Sequence, residues 1–243
     1  SWPTEKIVGG YANPQDLLAW RFVFALIVIA LFMRIGSIPF DFPVKSIKYI
    51  FFTSAMIVIY NYNYLKGTQV GMASLGGVIV PTTSPIITFL LGLLLFKKKL
   101  YPKEVLGLIL GFAGVLLLVR FWEIDTLEIV KSGNIFFLFA ALSWSCATIA
   151  TQKAQSTYHP INFSFWLYAI SMLITIPFLS IDSILLPFNY DSIFWINFLI
   201  ISVVVLGFGN TAYFLSTMKL GSGKASSFMF IVPFSAVLSS SLL

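Results

Sequence analysis

Long apolar runs alternate with short polar links along almost the whole chain. Runs of about the 20 residues that a helix needs to cross a bilayer fall at 15–34, 47–66, 72–96, 103–121, 132–153, 161–180, 191–218 and 224–243. Residues 1–9 read as the end of an earlier helix. The runs are continuous rather than alternating, which favours helices over membrane strands. The pattern predicts nine membrane helices, helix 1 to helix 9, of which the first is partial.

A motif of small residues that ends in proline occurs twice. Gly71–Pro81 and Gly223–Pro233 both read Gly-x-Ala-Ser-x4-Ile-Val-Pro, and each opens a long apolar run. One unit used twice in a membrane chain is typical of transporters built from internal repeats. We therefore predict two five-helix repeats, at 1–121 and 132–243. We expect the front of the first repeat and the last helix of the second to be missing from this sequence.

The repeats and the charges together predict the fold and its orientation. Because five is an odd number, the two repeats must cross the bilayer in opposite directions. The fold class is therefore an all-α, polytopic membrane helix bundle of two inverted five-helix repeats. Most lysines and arginines lie in the links after helices 2, 4, 6 and 8, and Lys97–Lys99 form one such link. The positive-inside rule predicts that this loop is cytoplasmic and that the protein is multi-pass in the cell (inner) membrane.

The composition narrows the function classes. The chain is 58% apolar and only 10% charged, whereas soluble domains are about a quarter charged. One cysteine, Cys146, and one histidine, His159, exclude a disulfide framework and most zinc sites and catalytic triads. We predict no catalytic residue, metal or cofactor. The basic residues sit in short links, so topology explains them better than a nucleic-acid partner does.

The charged residues all lie at or near predicted helix ends. Ionisable groups inside membrane helices usually mark ion or proton pathways. We expect none here, and we expect Arg21 and Lys66, the two closest to the membrane, to extend their charged ends to the interface. The sequence therefore predicts no carboxylate for coupling to protons or sodium.

Polar and aromatic side chains inside the apolar runs are the candidates for a solute site. Asparagine is costly in lipid, so such residues should face protein or a wet cavity. Pro81 and Pro233 are predicted hinge or kink positions, whose freed backbone carbonyls can line a cavity. The alternative is that these residues join helices or form an interfacial belt. As a set they predict a polar, aromatic-lined cavity between the repeats, formed by Trp2, Tyr60, Asn63, Thr82, Trp144, Asn210 and Tyr213.

Three stretches are similar to sequences of a known membrane family. They are Gly71-x-Ala73-Ser74 running to Pro81, Lys103–Val119, and Leu18–Phe22 with its Arg21. With the ten-helix plan, they resemble the EamA-type permeases of the drug/metabolite transporter (DMT) superfamily over nearly the whole chain. One departure is the loop Phe96–Leu100, where the family usually has Glu and this chain has three lysines.

The resemblance implies helix pairs around a central cavity that opens alternately to each side, with export of amino acids or related metabolites common. We predict a secondary transporter that moves a small polar or amphipathic metabolite, amino-acid-like or drug-like, outward. Uptake or exchange of a nucleoside-derived metabolite stays open, as does a non-transporting membrane scaffold. The predicted partners are a small-molecule solute and the lipid bilayer, and the protein is expected to be a monomer or homodimer.

Overall fold

The helices of the structure follow the predicted apolar runs. The computed structural model describes residues 2–42, 44–96, 102–118, 133–154, 159–180 and 186–234. In these ranges the helices are α1 Trp2–Gly9, α2 Pro14–Ile35, α3 Ile47–Val70, α4 Ala73–Phe96, α5 Pro102–Leu118, α6 Ile135–Lys153, α7 Pro160–Thr175, α8 Ser192–Leu220 and α9 Ser222–Ser227. The described residues contain no strand, so the all-α fold class is confirmed. The predicted cytoplasmic loop Lys97–Lys99 lies outside the described residues.

Five of the described helices are long and apolar enough to cross a membrane. They are Pro14–Ile35, Leu75–Phe96, Ile135–Lys153, Pro160–Phe178 and Ser192–Leu220. This arrangement is that of a multi-pass membrane protein.

Local sequence explains where two of these helices begin. His159 precedes Pro160 at the start of α7, and its Nδ1 accepts a hydrogen bond from the Ile161 amide at 3.4 Å. Asp191 caps α8, where its carboxylate accepts from the Phe194 amide at 2.9 Å. This bond, together with one from the Tyr11 hydroxyl, lowers the pKa of the Asp191 carboxyl below its usual value.

One segment of α8 has an unusual hydrogen-bond pattern that the sequence analysis did not foresee. Ile200–Asn210 is a π-helix between two α-helical turns. The Ile201 carbonyl accepts from the Arg21 guanidinium at 3.3 Å, and the Leu206 carbonyl accepts from the Tyr168 hydroxyl at 2.7 Å. π-helical turns occur frequently at functional sites.

Helix α6 lies at the centre of the bundle and packs against α3 and α4. Gly67 of α3 and Gly76 of α4 both face the ring of Phe137, and a Cβ added at Gly67 would lie 2.6 Å from that ring. The Ser145 hydroxyl of α6 lies 3.0 Å from the Ser84 carbonyl of α4 and 2.8 Å from the Ala141 carbonyl of its own helix, so its one proton is shared between the two acceptors. Small residues and interhelical hydrogen bonds are what hold membrane helices together.

Hydrogen bonds join the first half of the bundle (2–118) to the second (133–234) at both ends. At one end the Tyr11 hydroxyl donates to the Asp191 carboxylate at 2.8 Å. At the other end Asn162 Nδ2 and Trp166 Nε1 donate to the Asp41 carbonyl at 2.7 and 2.9 Å. The links that meet at each end agree with the two sides expected from the charge pattern.

The two predicted hinge prolines lie in helical segments. Pro81 and Pro85 lie inside α4, which continues through both. Pro233 is buried in a helical turn after α9. Proline cannot donate the helical hydrogen bond, which frees the carbonyl four residues earlier. A hinge role for Pro81 and Pro233 stays a prediction, as does the inverted relation of the two repeats.

Candidate functional site

Three rings from three helices meet in the interior of the bundle. Tyr60 of α3 lies 4.7 Å from Trp144 of α6, and Trp144 lies 4.9 Å from Tyr213 of α8, measured between ring centroids. Tyr64 lies 5.7 Å from Tyr60 and extends the group along α3. The three residues Tyr60, Trp144 and Tyr213 are called the aromatic cluster below. The structure thus brings together three of the predicted site residues.

Part of the aromatic cluster keeps accessible surface. Trp144 is only 4% exposed. Tyr60 and Tyr213 are half-buried. The Tyr213 hydroxyl also lies 3.2 Å from the Thr148 hydroxyl, within hydrogen-bond distance.

The other predicted site residues have different surroundings. Thr82 is 5% exposed on α4, and its hydroxyl has no hydrogen-bond partner among the described residues. Asn210 is half-buried at the end of the π-helix of α8. The side chain of Trp2 lies outside the described residues.

Asn63 faces a separate groove. Its amide donates to the Ile59 carbonyl of its own helix at 2.8 Å. The groove measures about 480 Å³ and is lined by residues of α2 and α3 and of the segment around the end of α7, namely Gln15, Leu18, Val58, Ile59, Tyr62, Asn63, Thr175 and Phe178. None of the three residues of the aromatic cluster lines this groove. Asn63 and the cluster therefore do not share this site.

The expectation that Arg21 extends its charged end to the interface was wrong. Glu5 of α1 and Arg21 of α2 are 4% and 2% exposed, and they form an ion pair of 3.4 Å between Arg21 Nη2 and Glu5 Oε1. Arg21 also donates to the Ile201 carbonyl of α8. Its side chain does not extend to the interface, because it is held between α1 and the π-helix.

A sequence signal for this pair existed. Glu5 lies about one turn before the end of α1, and Arg21 about two turns after the start of α2. A short link joins the two helices, and consecutive membrane helices turn back on each other. Opposite charges at similar depth on such neighbours are candidates for an ion pair.

The site chemistry suits binding rather than covalent catalysis. Aromatic faces and hydroxyls are groups that can hold a solute by stacking and hydrogen bonds, and a pair of opposite charges can attract a charged one. In the part of the chain that the structure describes, no group of three His, Cys, Asp or Glu residues could hold a metal ion.

Comparison with known families decides the class of the protein. The profile of the EamA-like transporter family matches residues 1–120 and 131–243. The chain belongs to the EamA-like transporter family. A member of this family with several apolar helices is a membrane transporter and not an enzyme. Its partners are a small-molecule solute and the lipid bilayer in which it lies.

Individual relatives are bacterial transporters. The chain is 27% identical to the uncharacterized transporter YvbV of Bacillus subtilis, over 100% of this chain and 78% of the relative. It is 27% identical to a probable amino-acid metabolite efflux pump of Salmonella typhimurium, over 59% of this chain and 50% of the relative. Such relatives indicate a protein of the inner membrane.

A solved structure supports the fold. A crystal structure superimposes with a TM-score of 0.68 and covers 100% of this chain and 85% of its own length. Its sequence is 17% identical to this one, so the likeness concerns the fold alone.

Proposed function

We propose that the protein exports a small polar or amphipathic metabolite, amino-acid-like or drug-like, across the cytoplasmic membrane by alternating access. The observation that carries this proposal is the aromatic cluster, in which rings of α3, α6 and α8 meet and two of the three are only half-buried. Apolar ring faces next to a few polar groups are typical of small-molecule sites. The relatives in Salmonella typhimurium and Escherichia coli that are named probable amino-acid metabolite efflux pumps support the same direction.

Alternating access requires that the two ends of the bundle open in turn. At the end formed by the α1–α2 link, opening would break the bond between Tyr11 and Asp191 and the bond from the Tyr190 hydroxyl to the Tyr11 carbonyl, 3.0 Å. At the opposite end it would break the bonds that Asn162 and Trp166 donate to Asp41. These few exposed or partly exposed bonds are weak enough to exchange during a transport cycle.

Metabolite profiling tests the proposal. The gene is deleted in its host, and metabolites are quantified inside the cells and in the medium. We expect at least one metabolite to accumulate inside and fall outside, and the wild-type gene to restore its distribution. Trp144→Ala should fail to restore it. Gly107→Ala is the matched control, because within the described part of the chain a Cβ at Gly107 meets no atom within 4 Å.

The direction of the change separates the outcomes. Depletion inside the cells with a rise in the medium would indicate uptake rather than export. An unchanged distribution of every metabolite, or full restoration by a well-expressed Trp144→Ala variant, would contradict the proposal.

A further inference from the structure

A pocket of about 420 Å³ lies between α4, α5 and the segment that begins with α9. Its charged lining consists of Lys103 and Glu104 of α5 and Lys224 of α9. All three residues are exposed, so their charged ends stay in contact with water and cost little to keep ionised. The lining shares no residue with the aromatic cluster, and it carries more positive than negative charge.

Two buried hydroxyls in the same lining have no hydrogen-bond partner among the described residues. They belong to Thr88 of α4 and Ser222 of α9, which are 0% and 1% exposed. A buried hydroxyl without a partner costs free energy. A ligand with acceptor oxygens in the pocket would provide that partner.

The pocket is apolar beyond its charged end. Lys103 and Gly111 lie eight positions apart on α5 (111 − 103), which is about 12 Å along the helix axis. At Gly111 the pocket is bounded by the ring of Phe230, since an added Cβ would lie 2.7 Å from that ring. Phe89 and Leu93 of α4 add further apolar lining. A ligand that fills this space has an anionic end and an apolar part.

The charged end of the pocket lies on the basic side of the bundle. Helix α4 ends at Phe96 and α5 begins at Pro102, and the link between them contains Lys97–Lys99 in the sequence. The positive-inside rule predicts that this side is cytoplasmic. Basic pockets between membrane helices on the cytoplasmic side bind the head groups of anionic lipids.

We propose that this pocket binds one anionic phospholipid of the cytoplasmic leaflet. Lys103 and Lys224 contact the phosphate, and the Ser222 hydroxyl donates to a lipid oxygen. Phe89 and Phe230 contact the first part of an acyl chain. Apolar contact over this depth favours a lipid over a free phosphate ion, which has no part to place there. The site goes beyond the proposed function, because it binds a component of the membrane away from the aromatic cluster.

Native mass spectrometry of the full-length protein in detergent tests the site. Dioleoyl phosphatidylglycerol, which is anionic, is compared with phosphatidylethanolamine and phosphatidylcholine of the same chains, which are zwitterionic. The wild type should bind the first phosphatidylglycerol molecule at least about fivefold more tightly than either of the others. Glycerol 3-phosphate and inorganic phosphate present the same anion without chains and should bind more weakly than the whole lipid.

Substitution of the two lysines tests the charge of the pocket. Lys103→Gln combined with Lys224→Gln should remove the preference for phosphatidylglycerol. Both residues are exposed, so the variant is expected to fold. The matched control is Arg34→Gln combined with Lys45→Gln, which removes two exposed positive charges outside the pocket lining. The control should keep the preference.

A second variant tests the space of the pocket. Gly107 lies one turn before Gly111 on the same face of α5, and a Cβ there meets no atom of the described residues within 4 Å. Gly107→Phe should therefore occupy the pocket and weaken binding of phosphatidylglycerol severalfold, whereas Gly107→Ala should leave it unchanged.

Several results would overturn the inference. They are equal affinity of the wild type for the three lipids, a lysine pair variant that keeps the preference, and a control pair that loses it as fully. Glycerol 3-phosphate that binds as tightly as the lipid would show a site for a soluble anion instead. Unchanged lipid binding by Gly107→Phe would show that another segment of the chain or a second copy of the protein fills the pocket.

Discussion

Helices α5 and α6 have similar lengths and are both rich in apolar residues, yet they have opposite environments. In α6, Phe137 and Ala140 are 0% exposed. In α5, Ile109, Leu110 and Leu117 are 58%, 62% and 65% exposed. Lipid tails are as apolar as leucine, so hydrophobicity does not decide which helix is central. The difference lies in the polar residues, because α6 contains serines and threonines and α5 contains neither.

The polar residues of α6 illustrate that difference. Ser145 bonds to α4, and Thr148 lies within hydrogen-bond distance of the Tyr213 hydroxyl on α8. Glycines on the neighbouring helices make room for the α6 ring of Phe137. On α5, a Cβ added at Gly107 or Gly114 meets no atom of the described residues within 4 Å. Apolar runs thus define which segments cross the membrane, and the polar residues distinguish the central helix α6 from α5.

Truncation of a large side chain should show the largest contrast between the two helices. Phe137→Ala removes a fully buried ring from α6 and should lower the free energy of unfolding by about 3–5 kcal/mol. Leu110→Ala on α5 should change it by less than about 0.5 kcal/mol, because Leu110 lies on the exposed face. Thermal unfolding of both variants in detergent measures this, and equal losses would contradict the central place of α6.

The glycines should show a smaller contrast. Gly76→Ala places a Cβ against the Phe137 ring and should destabilise the protein by about 1–3 kcal/mol through overpacking. Gly107→Ala should be neutral or stabilising, since alanine has the higher helix propensity. The same unfolding assay compares the two, and a stabilising Gly76→Ala would show that α3 and α4 approach α6 less closely.

A single interhelical hydrogen bond should contribute less to the free energy of unfolding than the packing around Phe137. Ser145→Ala removes a hydroxyl that is shared between the Ser84 carbonyl of α4 and the Ala141 carbonyl of its own helix, and should cost at most about 0.6 kcal/mol, the average for interhelical bonds in a membrane protein. Ser216→Ala is the matched control, because the Ser216 hydroxyl donates to the Ala212 carbonyl of its own helix. If both variants lose the same free energy of unfolding, the contact between α4 and α6 contributes no more to stability than a hydrogen bond within one helix.

The cap of α8 predicts a small pH effect outside the membrane. The pKa of the Asp191 carboxyl is lowered from its usual value of 3.8, so the folded state favours the ionised form. The stabilisation is present above that value and is lost as the pH falls through the lower folded pKa. Thermal unfolding at neutral pH and near pH 3 should show that wild type loses more stability than Asp191→Asn. Equal losses would contradict the cap.

The sequence predicted the helices well, because a run of about 20 apolar residues can span a bilayer only as a helix that satisfies its backbone hydrogen bonds internally. Three of the seven predicted solute-site residues, Tyr60, Trp144 and Tyr213, converge in the structure. Asn63 was chosen by the same rule and lines another groove. The position of a polar residue within an apolar run predicts its depth in the membrane. Whether that residue lies on a buried or an exposed face of its helix depends on which helices pack beside it.

The Glu5–Arg21 pair was missed for a related physical reason. A charged side chain near a predicted helix end can lie either at the membrane interface or in the interior of the bundle. Its location depends on the groups that the neighbouring helix offers. Here the π-helical segment of α8 supplies the Ile201 carbonyl that accepts from Arg21. The apolar run 191–218 shows no periodicity from which the π-helical segment could be predicted.

The central claim is that the aromatic cluster faces an interior that solute and water can reach. In a Cys146→Ser background, which removes the chain's single native cysteine, Tyr213→Cys places a thiol in the cluster. The rate of its reaction with a small, membrane-impermeant thiol reagent is then measured in membrane vesicles, with and without the solute found by profiling. The account predicts a measurable rate that the solute lowers severalfold. A thiol that does not react from either side of the membrane would contradict it.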